Sequence, residues 1–165
     1  MSLAYLILGG NQGNRVEIFS KAIDLITSKI GLKLAISAMY ESESWGFKSE
    51  LFINQAVIIE TILSPSEVLS GTQQIETLLG RVRKTDGYEA RTIDIDLLYF
   101  DSLVIREADL QIPHPKIAER RFVLVPLAEI APDLRDSVTG ITVLEMLAEC
   151  ADASKVWKLA DSKSL

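Results

Sequence analysis

Apolar and acidic side chains alternate from Ile93 to Leu97, and this pattern constrains the fold more than any other in the sequence. Side chains of a β-strand point alternately to its two faces, so Asp94 and Asp96 are expected on one face and Ile93, Ile95 and Leu97 on the other. The apolar face would then pack under a helix. The segment therefore predicts a sheet with two neighbouring carboxylates on one face and a helix-covered core on the other.

The elements predicted around this strand follow the order strand, helix, strand, strand, helix, strand. Short apolar runs mark the strands, apolar residues at helical spacing mark the first helix, and a serine N-cap with proline and glutamate after it marks the second. In chain order they span residues 5–8, 18–31, 32–40, 51–61, 64–80 and 92–100. This is the order of the split βαβ arrangement. We therefore predict an α+β, ferredoxin-like sandwich, with an antiparallel sheet, helices packed on one face and a C-terminal helix.

The segments after residue 100 give less regular patterns. Residues 103–105 are predicted to pair beside the strand at 92–100, and residues 122–130 are strand-like at first but broken by Pro126. Thr142 is predicted to cap a helix that runs through Glu149, and residues 155–157 to add an edge strand.

Composition limits the class of protein. A length of 165 residues predicts one domain over 1–165, and the 48% apolar and 24% charged residues are normal for a globular protein. A net charge of −6 argues against a nucleic-acid surface. Cys150 is the only cysteine and reads as a packed structural residue of a reducing compartment. With no apparent signal peptide, membrane span or unassigned apolar stripe, we expect a cytoplasmic monomer without membrane or nucleic-acid partners.

Four cationic residues lie in the sequence just before the two aspartates. Arg81, Arg83, Lys84 and Arg91 crowd this stretch although the chain is acidic overall. Magnesium prefers one or two protein carboxylates together with phosphate oxygens and water, and the arginine fork suits phosphate. The segment is thus typical of a cradle for a metal triphosphate. A solvated loop with surface ion pairs beside a strand with one wet face is the alternative.

Several other residues are candidates for ligand contacts. His114, the only histidine, stands between two prolines and is either structural or a donor to a phosphate. Asn54 lies in an apolar segment, so its side-chain amide is expected to form hydrogen bonds either with the backbone or with a ligand. Trp45, Phe47, Phe52 and Phe122 could stack on a flat ring or belong to the core. The sequence lacks the Walker A pattern and the protein-kinase catalytic loop.

These motifs resemble the 6-hydroxymethyl-7,8-dihydropterin pyrophosphokinase family over nearly the whole chain, with a weaker match after about residue 134. The most specific part is GRVR at 80–83 followed by RTIDIDLL at 91–98. Further matching pieces are LGGN at 8–11, Asn54 with AV at 56–57, QIE at 74–76, PHP at 113–115 and ERRFVLVPL at 119–127. The resemblance implies a ferredoxin-like fold and transfer of diphosphate from ATP to the pterin alcohol in folate biosynthesis.

The resemblance also implies roles for individual residues. Asp94 and Asp96 match the ligands of two magnesium ions, and Asp94 would also reach the substrate. Arg81 and Arg91 match catalytic arginines on the triphosphate. The nucleotide would further contact the side chains or backbone of Gln73, Glu76, Arg83, Leu97, His114 and Arg120, the last from the family's mobile loop. The pterin would lie between Phe52 and Phe122, near Asn54 and residues Ser42, Glu43 and Trp45.

The chain departs from the family in loops, and none of the departures removes a charged group. Gly10 stands where the family usually has serine, Glu89-Ala90 where it often has Gly-Pro, Tyr88 where a tryptophan is common, and residues 42–44 where it has a Thr-x-Pro-like turn.

Two other functions fit part of the sequence pattern. A regulatory nucleotide-binding module would need no paired carboxylates, and a two-metal phosphotransferase acting on another alcohol would need no aromatic ring sandwich.

Overall fold

The computed structural model describes residues 1–11, 13–43, 51–80 and 92–159, together with the backbone of 82–83 and 89–90. Within these ranges a mixed sequence of strands and helices forms, and its elements are named in chain order. They are β1 (Ser2–Gly10), α1 (Arg15–Lys29), β2 (Leu32–Ile36), β3 (Tyr40–Ser42), β4 (Phe52–Thr61), α2 (Pro65–Leu78), β5 (Val82–Arg83), β6 (Glu89–Ala90), β7 (Asp94–Phe100), β8 (Ile105–Arg106), β9 (Gln111–Ile112), a 3-10 turn (Ile117–Glu119), α3 (Arg121–Ile130), α4 (Val143–Glu149) and β10 (Val156–Lys158).

The main sheet is antiparallel and places β1 between β4 and β7. Its strand order is β10-β3-β4-β1-β7, and β2 pairs with another part of β4. The register sets Gly9 opposite Asn54 of β4 and opposite Asp94 of β7. Since directly paired residues of neighbouring strands point to the same face, these three positions form a row across the sheet. The α+β class with an antiparallel sheet is confirmed.

The helices α1 and α2 cover one face of the sheet. Their apolar stripes, which include Phe19, Ile26 and Ile75, pack on the even-numbered core residues of β1 and the odd-numbered ones of β4. The predicted capping box starts α2: Ser64 Oγ accepts the N–H of Glu67, whose carboxylate accepts the N–H of Ser64. This layer is the one that the sequence predicted.

The opposite face is covered by α3 and α4, and here the predicted strand-like start of residues 122–130 is wrong. Residues 121–130 are helical, and Val123, Leu124 and Leu127 are buried at helical spacing against Ile7 and Ala56. Pro126 lies inside the helix and removes one main-chain hydrogen bond without ending it. Packing of this apolar stripe outweighs the weak local signals. Two C-terminal helices therefore stand where one was predicted.

Three further segments differ in detail from the sequence-based elements. The predicted strand at 32–40 is divided into β2 and β3, because Ser37 turns to bond Gln55 and Ala56 of β4. Residues 103–105 do not pair beside β7; Ile105 instead pairs with Ile112 in a separate small hairpin. The edge strand predicted at 155–157 forms as β10 on β3, and Thr142 caps α4 as predicted. Among the described residues, no helix is long and apolar enough to cross a membrane.

Candidate active site

The alternation that the sequence predicts in β7 is present. Ile93, Ile95 and Leu97 are buried under α1 and α2, whereas Asp94 is half-buried and Asp96 exposed. Both carboxylates therefore lie on the face of α3 and α4, two residues apart along one strand. β7 is the last strand of the main sheet, so the pair stands at the sheet edge, where a ligand can approach.

Glu76 of α2 holds the backbone of β7 between the two acids. Its carboxylate accepts the N–H of Ile95 at 2.8 Å, and the side chain is only 5% exposed. An edge strand otherwise presents unpaired amides to solvent, so this bond fixes the strand where Asp94 and Asp96 project. Sequence alone suggested only a nucleotide-side position for Glu76. The bond gives it a structural task that spacing could not reveal.

His114 lies beside the carboxylate pair. Its backbone N–H donates to the carbonyl of Leu98 at 3.0 Å, which docks the 113–115 segment on β7. Burial lowers the pKa of the imidazole; the charge of Asp96 raises it, and the charges of Arg120 and Lys116 lower it. Nδ1 faces the N–H of Lys116 at 3.5 Å, the long limit of a hydrogen bond. Burial outweighs the charge of Asp96, so the pKa of His114 is lowered overall.

Asn54 pairs with backbone, which is one of the two alternatives left open by the sequence. Its side-chain N–H donates to the carbonyl of Leu8 at 3.3 Å, while Oδ1 is buried and has no hydrogen-bond partner among the described residues. A buried amide oxygen without a partner carries a desolvation cost that a ligand donor would remove. A Cβ at the neighbouring Gly9 would lie 2.8 Å from Asn54 Nδ2, so a side chain there would displace the Asn54 amide.

Two aromatic rings lie on the same face as Asn54. Phe52 is two residues before Asn54 on β4 and is 36% exposed, and Phe122 of α3 packs at the margin of the core on that face. The guanidinium carbon of Arg120 lies 5.9 Å from the centroid of the Phe122 ring. Ser42 is buried on β3 opposite Phe52, and Glu43 is exposed after it. These residues border the row formed by Asn54, Gly9 and Asp94.

The remaining predicted positions are less central or lie outside the described residues. Gln73 is exposed on α2 and lines an open groove of about 500 Å³ with Lys29 and Thr77. Leu97 is buried, so any contact with a nucleotide would come from its backbone at the sheet edge. Arg81, Arg91 and Trp45, and the side chain of Arg83, fall outside the described part of the chain.

Sequence reasoning missed a tyrosine and a glutamate that brace the site. Tyr40 pairs with Asn54 across β3 and β4, and its hydroxyl donates to Glu129 of α3 at 2.6 Å. Burial raises the pKa of Tyr40, and the hydrogen bond and charge of Glu129 raise it further. Only the strand register would have revealed this pair, because the two residues lie 89 positions apart.

Gly10 provides a physical reason for one departure from the family. A Cβ at Gly10 would lie 2.7 Å from the carbonyl oxygen of Thr92, so the backbone leading into Asp94 approaches β1 too closely for a side chain. The serine usual in the family would require this backbone to shift. The glycine therefore belongs with the particular path that residues 92–93 take in this chain.

The carboxylate pair fits magnesium by its donor chemistry. Among the described residues, no cluster of three or more His, Cys, Asp or Glu side chains could hold a metal ion. Asp94 and Asp96 alone would leave most coordination positions to phosphate oxygens and water, as magnesium prefers. A substrate-bound divalent ion suits this site better than a resident metal with a full protein cage.

Comparison with known proteins agrees with this geometry. The family model of 7,8-dihydro-6-hydroxymethylpterin-pyrophosphokinase (HPPK) matches residues 5–132. The chain belongs to the HPPK family. Relatives named 2-amino-4-hydroxy-6-hydroxymethyldihydropteridine pyrophosphokinase include one of Porphyromonas gingivalis, 39% identical over 80% of this chain and 92% of the relative. That of Methylorubrum extorquens is 41% identical over 90% of this chain and 94% of the relative, and that of Bacillus subtilis is 36% identical over 95% and 91%.

Solved structures share the HPPK fold at low identity. The crystal structure of wild-type Plasmodium falciparum HPPK-DHPS superposes with a TM-score of 0.73 at 18% identity, over 90% of this chain and 44% of that chain. The same protein with STZ-DHP gives a TM-score of 0.75 at 16% identity, over 90% and 43%. The chain therefore spans less than half of these longer proteins. At this identity the likeness supports the fold alone.

Proposed function

We propose that this chain transfers a diphosphate from ATP to the hydroxymethyl group of 6-hydroxymethyl-7,8-dihydropterin, releasing AMP, as a step of folate biosynthesis. The observation that carries the proposal is the row of Asn54, Gly9 and Asp94 across one sheet face, with Asp96 beside it. This row joins a buried hydrogen-bonding amide to a carboxylate pair. Family membership and the printed names of the relatives supply the reaction class.

The pterin is proposed to lie over Gly9 with one edge toward Asn54. The Oδ1 of Asn54 has no partner among the described residues and can accept a hydrogen bond from the amino or ring N–H groups of the pterin. A purely apolar ring has no such donors. Phe52 and Phe122 would stack on its two sides, with Ser42, Glu43 and Trp45 along the border. The absence of a side chain at Gly9 leaves the sheet surface open between Asn54 and Asp94.

ATP is proposed to lie across Asp94 and Asp96, with the triphosphate held by Arg81, Arg83 and Arg91. Two magnesium ions bound to the carboxylates would neutralise the phosphate charge and align the reacting groups. The imidazole of His114 and the guanidinium of Arg120 would donate to phosphate oxygens. Gln73, Glu76 and the backbone of Leu97 would line the nucleotide side. We further propose that residues 1–165 act as one domain and as a monomer.

The reaction follows as an in-line displacement. The pterin hydroxymethyl oxygen forms a bond to the β-phosphorus of ATP, and the bond from that phosphorus to the α–β bridging oxygen breaks. AMP leaves with the electron pair, and the hydroxyl proton passes to solvent. Arg81 and Arg91 would stabilise charge on the transferring group, and the ring slot would hold the alcohol in line. No side chain is assigned as an essential base.

Turnover with each substrate omitted in turn tests the proposal. ATP consumption is expected to require both the reduced pterin and magnesium, and to stop when EDTA is added. ATP binding without consumption under complete conditions would instead indicate a regulatory module. Consumption with other alcohols but not with the pterin would indicate a different phosphotransferase. Replacing Phe122 with alanine separates that phosphotransferase from the proposed enzyme, because only turnover of the pterin depends on the ring sandwich.

A further inference from the structure

The chain beyond the family match makes contacts on both sides of the proposed pterin slot. The family model ends at residue 132, whereas residues 152–158 run from the N-terminus of α3 to the edge of β3. One of these elements carries Phe122, and the other carries Ser42. The C-terminal segment thus touches the supports of two residues that border the same site.

Asp152 caps the helix that carries Phe122. Its Oδ2 accepts the N–H of Arg121, the first residue of α3, at 3.0 Å. The local N-cap residue, Arg120, makes no side-chain hydrogen bond to the helix. The first amides of a helix lack internal partners and favour a negative charge nearby. Asp152, which is distant in sequence, supplies the capping acceptor that Arg120 does not.

Asp152 is itself fixed in this orientation. Its Oδ1 accepts the N–H of Ser154 at 2.9 Å and also the Ser154 hydroxyl. Burial alone would raise the pKa of Asp152, but the hydrogen bonds from Ser154 and Arg121 and the Arg121 charge outweigh it and lower the pKa. The carboxylate is therefore ionised at neutral pH.

The other end of the segment pairs with the strand that borders the slot. Val156 stands opposite Ser42, Trp157 opposite Glu41 and Lys158 opposite Tyr40. Trp157 Nε1 donates to the Glu41 carboxylate at 3.2 Å, and the N–H of Leu159 donates to the carbonyl of Met39 at 2.8 Å. Because N–H groups alternate in direction along a strand, that of Trp157 also points to β3.

We infer that residues 152–158 are a strap that sets the distance between the Phe122 side and the Ser42 side of the pterin slot, with Asp152 as its positioning residue. The inference rests on the proposed function for the identity of the ring. The hydrogen bonds and strand pairing of the strap go to α3 and β3, the elements that carry Phe122 and Ser42. Its loss should therefore weaken pterin binding far more than ATP binding.

Steady-state kinetics of full-length variants test the strap. Asp152→Ala is expected to raise the KM for the pterin about tenfold, the size of one lost charge-assisted hydrogen bond, with the KM for ATP changed less than about twofold. Asp152→Asn retains one acceptor oxygen and should recover part of the pterin affinity. Glu149→Ala, which removes an exposed carboxylate nearby on α4, is the matched control and should behave as wild type.

A second variant tests the end of the strap that pairs with β3. Trp157→Pro deletes the N–H that points to β3, and is expected to raise the pterin KM as well. Combined with Asp152→Ala it should add less than the sum of the two single effects, because both changes release the same segment. If Trp157→Pro fails to fold, the series at Asp152 decides alone.

The outcomes separate the strap from the proposed function. A lower melting temperature with both KM values unchanged would show that Asp152 only stabilises the fold, and would overturn the inference. An equal rise of both KM values would overturn it too, because it would show a general distortion. Wild-type protein that does not turn over the pterin would refute the proposed function instead, and is measured first.

Discussion

Two consecutive side-chain amides of β4 point to opposite faces of the sheet. Asn54 and Gln55 are both buried, and each donates its side-chain N–H to a backbone carbonyl, Leu8 O at 3.3 Å and Ser37 O at 2.9 Å. In each the side-chain oxygen lacks a partner among the described residues. Asn54 faces the site, whereas Gln55 faces the layer of α1 and α2, so only Asn54 can meet a ligand.

Replacing Asn54 with alanine is expected to raise the KM for the pterin roughly 10- to 100-fold, because the substrate loses a buried acceptor worth about 1–3 kcal/mol. The KM for ATP should stay near the wild-type value. Gln55→Ala is the matched control: it should lower the free energy of unfolding by about 1–2 kcal/mol and leave the pterin KM alone. Equal kinetic effects of the two changes would contradict the role of Asn54.

Replacing Asp96 with alanine is expected to lower kcat by at least about 10³-fold, since the triphosphate loses a ligand of the ions that neutralise its charge. The circular dichroism spectrum should remain that of the wild type, because Asp96 is exposed. Asp24→Ala, at an exposed position of α1 on the other side of the sheet, should leave kcat unchanged. An unfolded Asp96→Ala protein would mean that the carboxylate is structural.

At the residue scale, chemistry and alternation predict much of the site. The face shared by Asp94 and Asp96 follows from the period of a strand, and it is confirmed. The pairing of Tyr40 with Glu129 and the bond from Ile95 to Glu76 could not be predicted, because each depends on how separate elements pack. The spacing of residue types along the sequence predicts which face of a strand or helix each side chain occupies. Contacts between distant elements can be predicted only when the pairing register of the strands is known.

The start of α2 shows an element that its own sequence determines. Ser64→Ala removes the acceptor of the Glu67 N–H, at 3.2 Å, and should lower the free energy of unfolding by about 1 kcal/mol. Activity well below the melting temperature should be retained, since the cap lies away from Asp94 and Asp96. Ser66→Ala, exposed in the same turn, serves as control in thermal unfolding. Equal melting temperatures of the two variants would show that the cap contributes nothing.

The helix α3 is the opposite case, because its local sequence does not predict a helix. Pro126 and the β-branched Val123 and Val125 disfavour a helix, and Arg120 provides no local cap. The stabilising contacts come from elsewhere: Asp152 bonds the first amide, and the apolar stripe packs on the sheet. Local reasoning therefore predicted a strand-like start where long-range packing makes a helix.

Across the whole molecule, the order of elements could be predicted but the second helical layer could not. The split βαβ order follows from apolar periods and caps that act within one segment. That α3 and α4 cover the other face depends on which side of the sheet remains apolar after folding, as with Tyr5, Ile7 and Ala56. The covering of this second face by α3 is what places Phe122 on the same side of the sheet as Asp94 and Asp96.

The contact of Tyr99 with Asp136 ties this second layer to the sheet and predicts a pH dependence. Burial would raise the pKa of Asp136, but hydrogen bonds from the N–H groups of Thr139 and Val138 and from the Tyr99 hydroxyl outweigh it and hold the pKa below the ordinary value of an aspartate. A carboxyl with a lowered pKa stabilises the fold above its unfolded pKa, and this stability is lost as pH falls through the folded pKa. Asp136→Asn should therefore cost about 1–2 kcal/mol at pH 7 and progressively less below about pH 4.

Urea unfolding from pH 7 down to pH 3 checks this dependence. The difference in stability between the wild type and Asp136→Asn should narrow steadily from about pH 4 toward pH 3. Asp133→Asn, at an exposed position before Asp136, is the control and should follow the wild type throughout. A difference for Asp136→Asn that stays constant over the whole range would contradict the role of the ionised carboxylate.

The most direct test of the account is to follow the two transferred phosphoryl groups. Wild-type protein is incubated with magnesium, the reduced pterin and ATP labelled separately at its β- and γ-phosphorus. We expect both labels to move to the pterin together and one AMP to appear for each pterin diphosphate. Transfer of the γ label alone, with ADP as product, would contradict attack on the β-phosphorus and with it the proposed diphosphate transfer.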